Sequence, residues 1–218
     1  MQGSTRPNIG PAASPPCGNA DYHSGMDVVA LTFASGWASG INAYATVFLL
    51  GVLGRFAGIP EIPDGFQRTD VLIVMGVLAA AEFIADKVPY LDSAWDGIST
   101  FIRPVAGALI GALLAGASGE LLPITLGALG GVTALVSHAA KSSVRLAVNT
   151  SPEPFSNVGA SLTGDVALVG VVSLAIAYPV QAAIIAALLL FATIALAVLL
   201  IAQIRKGVIA FRAWLART

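Results

Sequence analysis

Two stretches of this sequence place polar and ionisable side chains at helical spacing in apolar surroundings. In the stretch HAAKSSVRLAVN, four side chains fall within about 80° of one helix face, at about 100° per residue. They are His138, Lys141, Arg145 and Asn149. In the stretch DSAWDGISTFIR, four side chains fall within about 60° of one helix face. Its residues are Asp92, Asp96, Ser99 and Arg103.

The first of these faces has the chemistry to hold an anion. Lys141 and Arg145 suit a carboxylate, a phosphate or a lipid head group. The SPEP loop that follows the stretch adds further polar residues near the same end of the helix. The predicted substrate-binding residues are Arg103, His138, Lys141, Arg145, Asn149, Glu153 and Asn157.

The acidic residues have the chemistry to move protons. Glu82 and Asp86 lie four residues apart, on one face of a helix, and His138 has a side chain that titrates near neutral pH. The predicted polar network, or proton-coupling set, comprises Glu82, Asp86, Lys87, Asp92, Asp96 and Asp165. Two alternatives remain for these charges, namely a structural ion-pair network and ordinary charged helix ends at the membrane surface.

Enzymatic chemistry has little support in the sequence. His138 could act as an acid or base with Glu82 or Asp86, but it has no second His at a metal-ligand spacing such as HExxH. The chain contains no GxSxG, P-loop or CxxC motif, and Cys17 is its only cysteine. We therefore predict no catalytic residue, no metal site and no cofactor.

The elements that carry these residues are membrane helices. Hydrophobic residues make up 56% of the 218 residues and charged residues 11%, against roughly 25% charged in soluble domains. The mean hydropathy is +0.84, and the net charge of −1 argues against nucleic acid as a partner. The lipid bilayer is the predicted environment.

Six apolar runs are each near the roughly 20 residues that a spanning helix needs. They cover about 28–56, 69–85, 104–118, 124–148, 162–178 and 180–204, the third with help from the mixed segment before it. Because lipid admits only helices or closed barrels and the runs lack strand alternation, we predict an all-α bundle of six transmembrane helices. The predicted domains are a disordered leader (1–25) and a transmembrane domain (26–218) with an interfacial tail (205–218). Met26 is a candidate start site, which N-terminal sequencing would test.

The two halves of this domain, about 28–118 and 122–205, resemble each other weakly. A shift of 91 residues places Gly36 on Gly127 and Gly40 on Gly131. Three helices per half would make the repeat inverted, as in many secondary transporters. The predicted midplane helix breaks are Gly36, Gly40, Asn42, Gly127 and Gly131. The alternative is that these glycines permit close helix packing, which would also allow a homo-oligomer.

Lys and Arg predict the orientation, because cytoplasmic loops carry an excess of them. With both termini inside, only Arg55 and Arg68 are outside. The inner residues are Arg6, Lys87, Arg103, Lys141, Arg145, Arg205, Lys206, Arg212 and Arg217. The three polar faces would then meet at the cytoplasmic side. This pattern is typical of a multi-pass protein of the bacterial inner membrane.

Three motifs carry a resemblance to a known family. They are ASGINAYATVFLLGVLGR, EFIADKVPYLDSAWDGISTFIRPVAGAL and SHAAKSSVRLAVNTSPEPFSN. Over about Leu31 to Arg212 the chain resembles the bacterial membrane family numbered 4126 among domains of unknown function. The resemblance implies a multi-helix membrane protein and supplies no catalytic residue.

Three functions remain open on this sequence. The first is a small transporter with a charged cavity on the cytoplasmic side, for an anionic or phosphate-bearing substrate. The second is a structural or regulatory membrane protein, in which the charges form an ion-pair network. The third, a membrane-embedded enzyme, has the least support. A water-filled cavity among the charges would favour transport, whereas direct pairing would favour the structural function.

Overall fold

The computed structural model describes residues 20–59, 62–88, 90–116, 121–150 and 154–216, with their side chains from residue 25 onward except those of Pro154 and Phe211. Within these ranges the chain is helical and contains no strand, as the all-α prediction requires. The helices are α1 (Ala20–Ile41), α2 (Ala43–Ala57), α3 (Asp64–Gln67), α4 (Thr69–Ala85), α5 (Leu91–Leu114), α6 (Leu121–Val148), α7 (Pro154–Ala177) and α8 (Pro179–Leu215).

Four of the described helices are long and apolar enough to cross a membrane. They are α5, α6, the Phe155–Ala177 part of α7, and α8. They correspond to the predicted third to sixth runs, so a multi-pass membrane protein is the fold that the helices indicate. The predicted count of six spans stays a prediction, because α4 has 17 residues and the first run is divided.

The first predicted run forms two helices, and the break lies at Asn42. This residue is extended, with φ −154° and ψ 107°, and its Oδ1 accepts a hydrogen bond from the backbone N–H of Ala45 at 2.8 Å. An Asn side chain in this geometry caps the first turn of the following helix. The predicted break at Asn42 is therefore present, and the first run forms two helices where the count of six treats it as one.

The predicted leader overlaps the first helix. Helix α1 begins at Ala20, six residues before Met26. The boundary predicted between residues 25 and 26 therefore lies inside α1, because the apolar pattern alone does not mark where the polar first turns of a helix begin. Residues 1–19 lie outside the described residues.

Close backbone contacts join α1, α5 and α6, and glycines make them possible. A Cβ at Gly107 of α5 would lie 2.6 Å from the carbonyl oxygen of Gly130 in α6, and a Cβ at Gly36 of α1 would lie 2.8 Å from the same oxygen. Gly40 approaches α6 in the same way, since its Cβ would lie 2.5 Å from the carbonyl oxygen of Ala134. Such spacing is typical of membrane helices that pack through small residues.

The glycines of α6 are packing residues and do not interrupt the helix. Helix α6 continues through Gly127 and Gly131, whose added Cβ atoms would each lie 3.2 Å from a carbonyl oxygen of α5. The prediction of matched breaks in the two halves is therefore wrong for the second half, and the inverted repeat stays a prediction. Because these glycine faces are used inside the chain, they give no reason to expect a homo-oligomer.

Helix α1 lies at the centre of the bundle and α8 at its outside. Ala34, Trp37 and Ala38 of α1 are almost completely buried against neighbouring helices. On α8, Leu188 and Phe191 are largely exposed. An apolar helix with so much exposed apolar surface is suited to lipid contact.

Candidate functional site

The end of α4, the first half of α5 and the second half of α6 bring the three polar faces of the sequence together. We call the resulting group the ion cluster, and each of its side chains is 11% exposed or less. Its members are Glu82, Asp86, Asp92, Asp96, Arg103, Lys141 and Arg145. Six of the seven are buried, so the cluster is removed from solvent.

Arg103 occupies the inner end of the ion cluster. One terminal nitrogen pairs with Oε1 of Glu82 and lies 3.4 Å from Oδ1 of Asp96. The other donates to the carbonyl oxygen of Gly40 at 3.0 Å. A guanidinium stays protonated in proteins, so its burial at 1% exposure depends on these acceptors.

His138 lies beside Arg103 as a hydrogen-bond acceptor. Its Nδ1 is 2.5 Å from the Arg103 nitrogen, and because the guanidinium only donates, Nδ1 must accept. The ring proton therefore belongs on Nε2, which lies 3.0 Å from Oγ1 of Thr100 and 3.2 Å from the carbonyl oxygen of Asp96. In this arrangement the imidazole is neutral.

Lys141 and Arg145 share one carboxylate. Nζ of Lys141 donates to Oδ2 of Asp86 at 2.6 Å, and a terminal nitrogen of Arg145 donates to Oδ1 at 2.8 Å. The same nitrogen of Arg145 lies 3.2 Å from Oδ2 of Asp96. Asp86 therefore joins two cations of α6 to the end of α4.

The break at Asn42 supplies backbone acceptors for two of the cations. The carbonyls of the last turn of a helix have no partner within it, and the helix dipole makes that end attractive to cations. Here the Gly40 oxygen accepts from Arg103, and the Ile41 oxygen accepts from Lys141 at 2.7 Å. Neither carbonyl is among the predicted substrate-binding or network groups, although the predicted helix break at Asn42 was the signal that could have located them.

The outer end of the ion cluster contains Asp92. Asn149 donates from Nδ2 to both carboxylate oxygens of Asp92, at 3.2 and 3.1 Å, and Nε of Arg145 lies 3.6 Å from Oδ2. Asn149, predicted to bind substrate, is thus a partner of the acidic face of α5.

Lys87 and Asp165 form a separate pair that links the end of α4 to α7. Nζ of Lys87 is 2.9 Å from Oδ2 of Asp165 and 3.4 Å from Oγ of Ser161. Both charged side chains are less than one-fifth exposed. These two predicted network residues are neighbours of the ion cluster and not members of it.

The last two predicted substrate-binding residues, Glu153 and Asn157, lie in and just after the SPEP loop. Glu153 lies outside the described residues. Asn157, on α7, is 2% exposed, and neither its Oδ1 nor its Nδ2 has a hydrogen-bond partner among the described residues. Since buried polar groups are nearly always paired, Asn157 keeps unused hydrogen-bonding capacity within the described part of the chain.

The formal charges of the ion cluster do not balance. Its four carboxylates face three cations, and the adjoining Lys87 and Asp165 pair adds no net charge. Oε2 of Glu82 is buried and has no hydrogen-bond partner among the described residues. An uncompensated buried charge costs several kcal/mol, so the cluster favours uptake of a proton or another positive group. Among the described residues, no group of three or more metal-ligating side chains is arranged to hold a metal.

Two cavities of about 280 Å³ each touch Arg145. One is a polar recess between α5 and α6, where Asp96 and Thr100 accompany Arg145. The other lies between α1, α6, α7 and α8 and is also lined by Lys141. Lys141 and Arg145 are thus paired with carboxylates on one side and border open space on the other.

The comparisons with known proteins agree with the sequence motifs. A family model described as Domain of unknown function (DUF4126) matches residues 29–198, a range that contains all three motifs. Comparisons with curated proteins and with solved structures give no match. The predicted resemblance is confirmed, and the chain belongs to the DUF4126 family.

Proposed function

We propose that the protein is a small membrane carrier that couples the movement of an anion to the movement of a proton. The ion cluster is the coupling site. The observation that supports this function best is the excess carboxylate, together with Oε2 of Glu82, which is nearly solvent-free and has no hydrogen-bond partner in the described part of the chain. Ionisable groups buried in membrane helices are typical of proton and ion pathways.

An excess charge is not what stability alone requires. A buried ion pair seldom stabilises a protein more than apolar residues of the same volume would, and an unpaired charge is strongly destabilising. A cluster that served only to lock α4, α5 and α6 together would be expected to contain equal numbers of acids and bases. A proton bound at the cluster removes the imbalance and can be released again.

The shared carboxylate gives a physical route from the proton to the anion. Asp86 holds both Lys141 and Arg145, and these two cations border the cavity between α1, α6, α7 and α8. A proton taken up by the cluster lowers the negative charge that competes for the two cations. Anion binding and proton binding then strengthen each other, and by linkage the effect is reciprocal.

The membrane arrangement is part of the proposal. The protein would span the inner membrane of a bacterium six times, with α1 and α2 together forming the first span and both termini in the cytoplasm. The ion cluster would then lie toward the cytoplasmic side. A carrier needs a second arrangement in which the cluster opens to the other side, which an inverted repeat would supply.

The test is proton flux in proteoliposomes that contain a trapped pH-sensitive dye. Octyl phosphate, octyl sulfonate and inorganic phosphate are added outside in turn, and internal acidification is compared with that of protein-free liposomes. We expect one or more of these anions to acidify the interior only when the protein is present. Absence of acidification with all three anions would contradict the proposed function.

The variant Glu82→Gln tests the assignment of the coupling site. It keeps an acceptor oxygen for Arg103 but cannot gain or lose a proton, so anion exchange should persist while proton movement is lost. Asp70→Asn is the matched control, because Asp70 lies on the same helix with its side chain 64% exposed. If Glu82→Gln and Asp70→Asn lost proton movement to the same extent, Glu82 would not be a specific proton-coupling residue.

A second function, a structural lock, is favoured by one observation. The cations of the ion cluster all pair directly with carboxylates, over distances of 3.6 Å or less. If the cluster has only this structural function, removal of any of its charges should lower stability. No such variant should lose an activity while keeping its stability. Thermal unfolding of Glu82→Gln, measured beside its proton flux, separates the two functions.

A further inference from the structure

A crevice of about 280 Å³ lies between α1, α6, α7 and α8. Its walls are mainly apolar, from Trp37, Ile41, Val144, Ala167, Leu189 and Leu196. At about 30 Å³ per water molecule, the space equals roughly nine waters. A crevice with such walls suits one hydrocarbon chain better than free water or two chains.

One part of the crevice is basic. The two charged residues that line it, Lys141 and Arg145, are both cations, and Ser161 of α7 adds a hydroxyl to the same lining. Asp86, which pairs with both cations, is completely buried and does not line the crevice. The charge presented to an occupant is therefore positive.

A buried amide on α7 lies one helical turn before the crevice lining. Asn157 lies four residues before Ser161, so the two share one face of α7. Asn157 is 2% exposed, and both of its side-chain polar atoms lack partners among the described residues. Asn157 does not line the crevice, so the head group is assigned to Lys141, Arg145 and Ser161.

We infer that this crevice binds a single-chain amphiphile with an anionic head group, of the alkyl phosphate or alkyl carboxylate class. The head group lies at Lys141, Arg145 and Ser161, and the chain lies along the apolar walls toward Trp37 and Leu189. The role of this molecule as cargo rests on the proposed carrier function, whereas its binding does not. A free inorganic anion would leave the apolar walls without a partner.

Trp37 gives a direct readout, because it lines the crevice. The chain has three tryptophans, and the double variant Trp95→Phe, Trp214→Phe retains only Trp37. In nanodiscs, ω-bromododecyl phosphate should quench Trp37 fluorescence saturably, because bromine quenches on contact. The neutral ω-bromododecanol should quench no more than its partition into lipid explains.

Two glycine substitutions on α7 provide a matched pair. An added Cβ at Gly164 would meet only Cγ2 of Ile41, at 3.6 Å, so Gly164→Leu fills the crevice and leaves the ion cluster intact. A Cβ at Gly170 would meet no described atom of another element within 4 Å, so Gly170→Leu serves as the control. We expect Gly164→Leu to weaken binding by about tenfold or more and Gly170→Leu to leave it unchanged.

The outcomes separate this inference from the carrier function. Saturable quenching that Gly164→Leu abolishes supports the crevice, even if proteoliposomes show no flux. Equal quenching by the phosphate and the alcohol would overturn it, as would complete displacement of the phosphate amphiphile by inorganic phosphate. If Gly164→Leu does not reduce the flux of octyl phosphate, the carrier function stands. The crevice is then not the binding site of the transported anion.

Discussion

At the scale of single residues, Arg103 shows what helical angle can and cannot predict. The sequence placed Arg103, Asp96 and Asp92 on one face because angle depends only on spacing along one helix. It did not predict that Arg103 meets Glu82 and donates to His138. Those partners depend on how far α4, α5 and α6 are shifted along their axes, and spacing within one helix carries no information about that shift.

Removal of Arg103 should be far more damaging than removal of an exposed arginine. Arg103→Ala leaves the buried carboxylate of Glu82 without its partner, which typically costs about 3–5 kcal/mol. Arg68→Ala is the control, because Arg68 pairs with Asp70 at 2.7 Å but both side chains are more than 60% exposed. Thermal unfolding in detergent should show a large decrease for Arg103→Ala and no measurable change for Arg68→Ala. Similar melting temperatures would mean that the ion cluster contributes little to stability.

At the scale of helices, glycine spacing was informative but ambiguous. Gly36 and Gly40 were predicted as helix breaks, with close packing as the alternative, because the same residue type serves both. The structure shows packing at both positions, and of the predicted breaks in the first half only Asn42 interrupts the described helices. The deciding factor is what lies opposite each residue, and only the assembled bundle determines that.

Two glycines of α5 allow the packing to be tested. A Cβ at Gly107 would lie 2.6 Å from the Gly130 oxygen of α6, whereas a Cβ at Gly97 has no atom within 4 Å. Gly107→Ala should therefore destabilise the protein by about 1–3 kcal/mol through overpacking. Gly97→Ala should be neutral or stabilising by up to about 1 kcal/mol, because Ala favours helices. Unfolding of both variants in one detergent provides the comparison, and equal stabilities would contradict the packing model.

At the scale of the whole molecule, the later part of the chain was easier to predict than the first. The predicted third to sixth runs each correspond to a helix long enough to span a membrane, since an unbroken apolar run leaves few alternatives. The first run counts as one helix by hydropathy because the predicted break at Asn42 adds neither charge nor proline. The family match covers 29–198 and therefore the whole ion cluster.

The predicted orientation can be tested with single cysteines. Cys17 is replaced with Ser, and Gly65→Cys or Gly207→Cys is then introduced, because neither glycine has an atom within 4 Å of an added Cβ. If both termini are cytoplasmic, a membrane-impermeant maleimide should label Gly65→Cys on intact cells. Gly207→Cys should be labelled only after permeabilisation. Labelling of both on intact cells would place Gly207 and Gly65 on the same, outer side of the membrane and would contradict the predicted orientation.

The contact between Gly107 and Gly130 also has an evolutionary consequence. At each position the obstacle is a backbone carbonyl, which no substitution elsewhere can make smaller. A change at one glycine therefore cannot be rescued by a change at the other, so selection has no stepwise route to a larger residue. Descendants of this chain can vary the charges of the ion cluster in compensating pairs, but the two glycines are expected to persist together or to be lost with the fold.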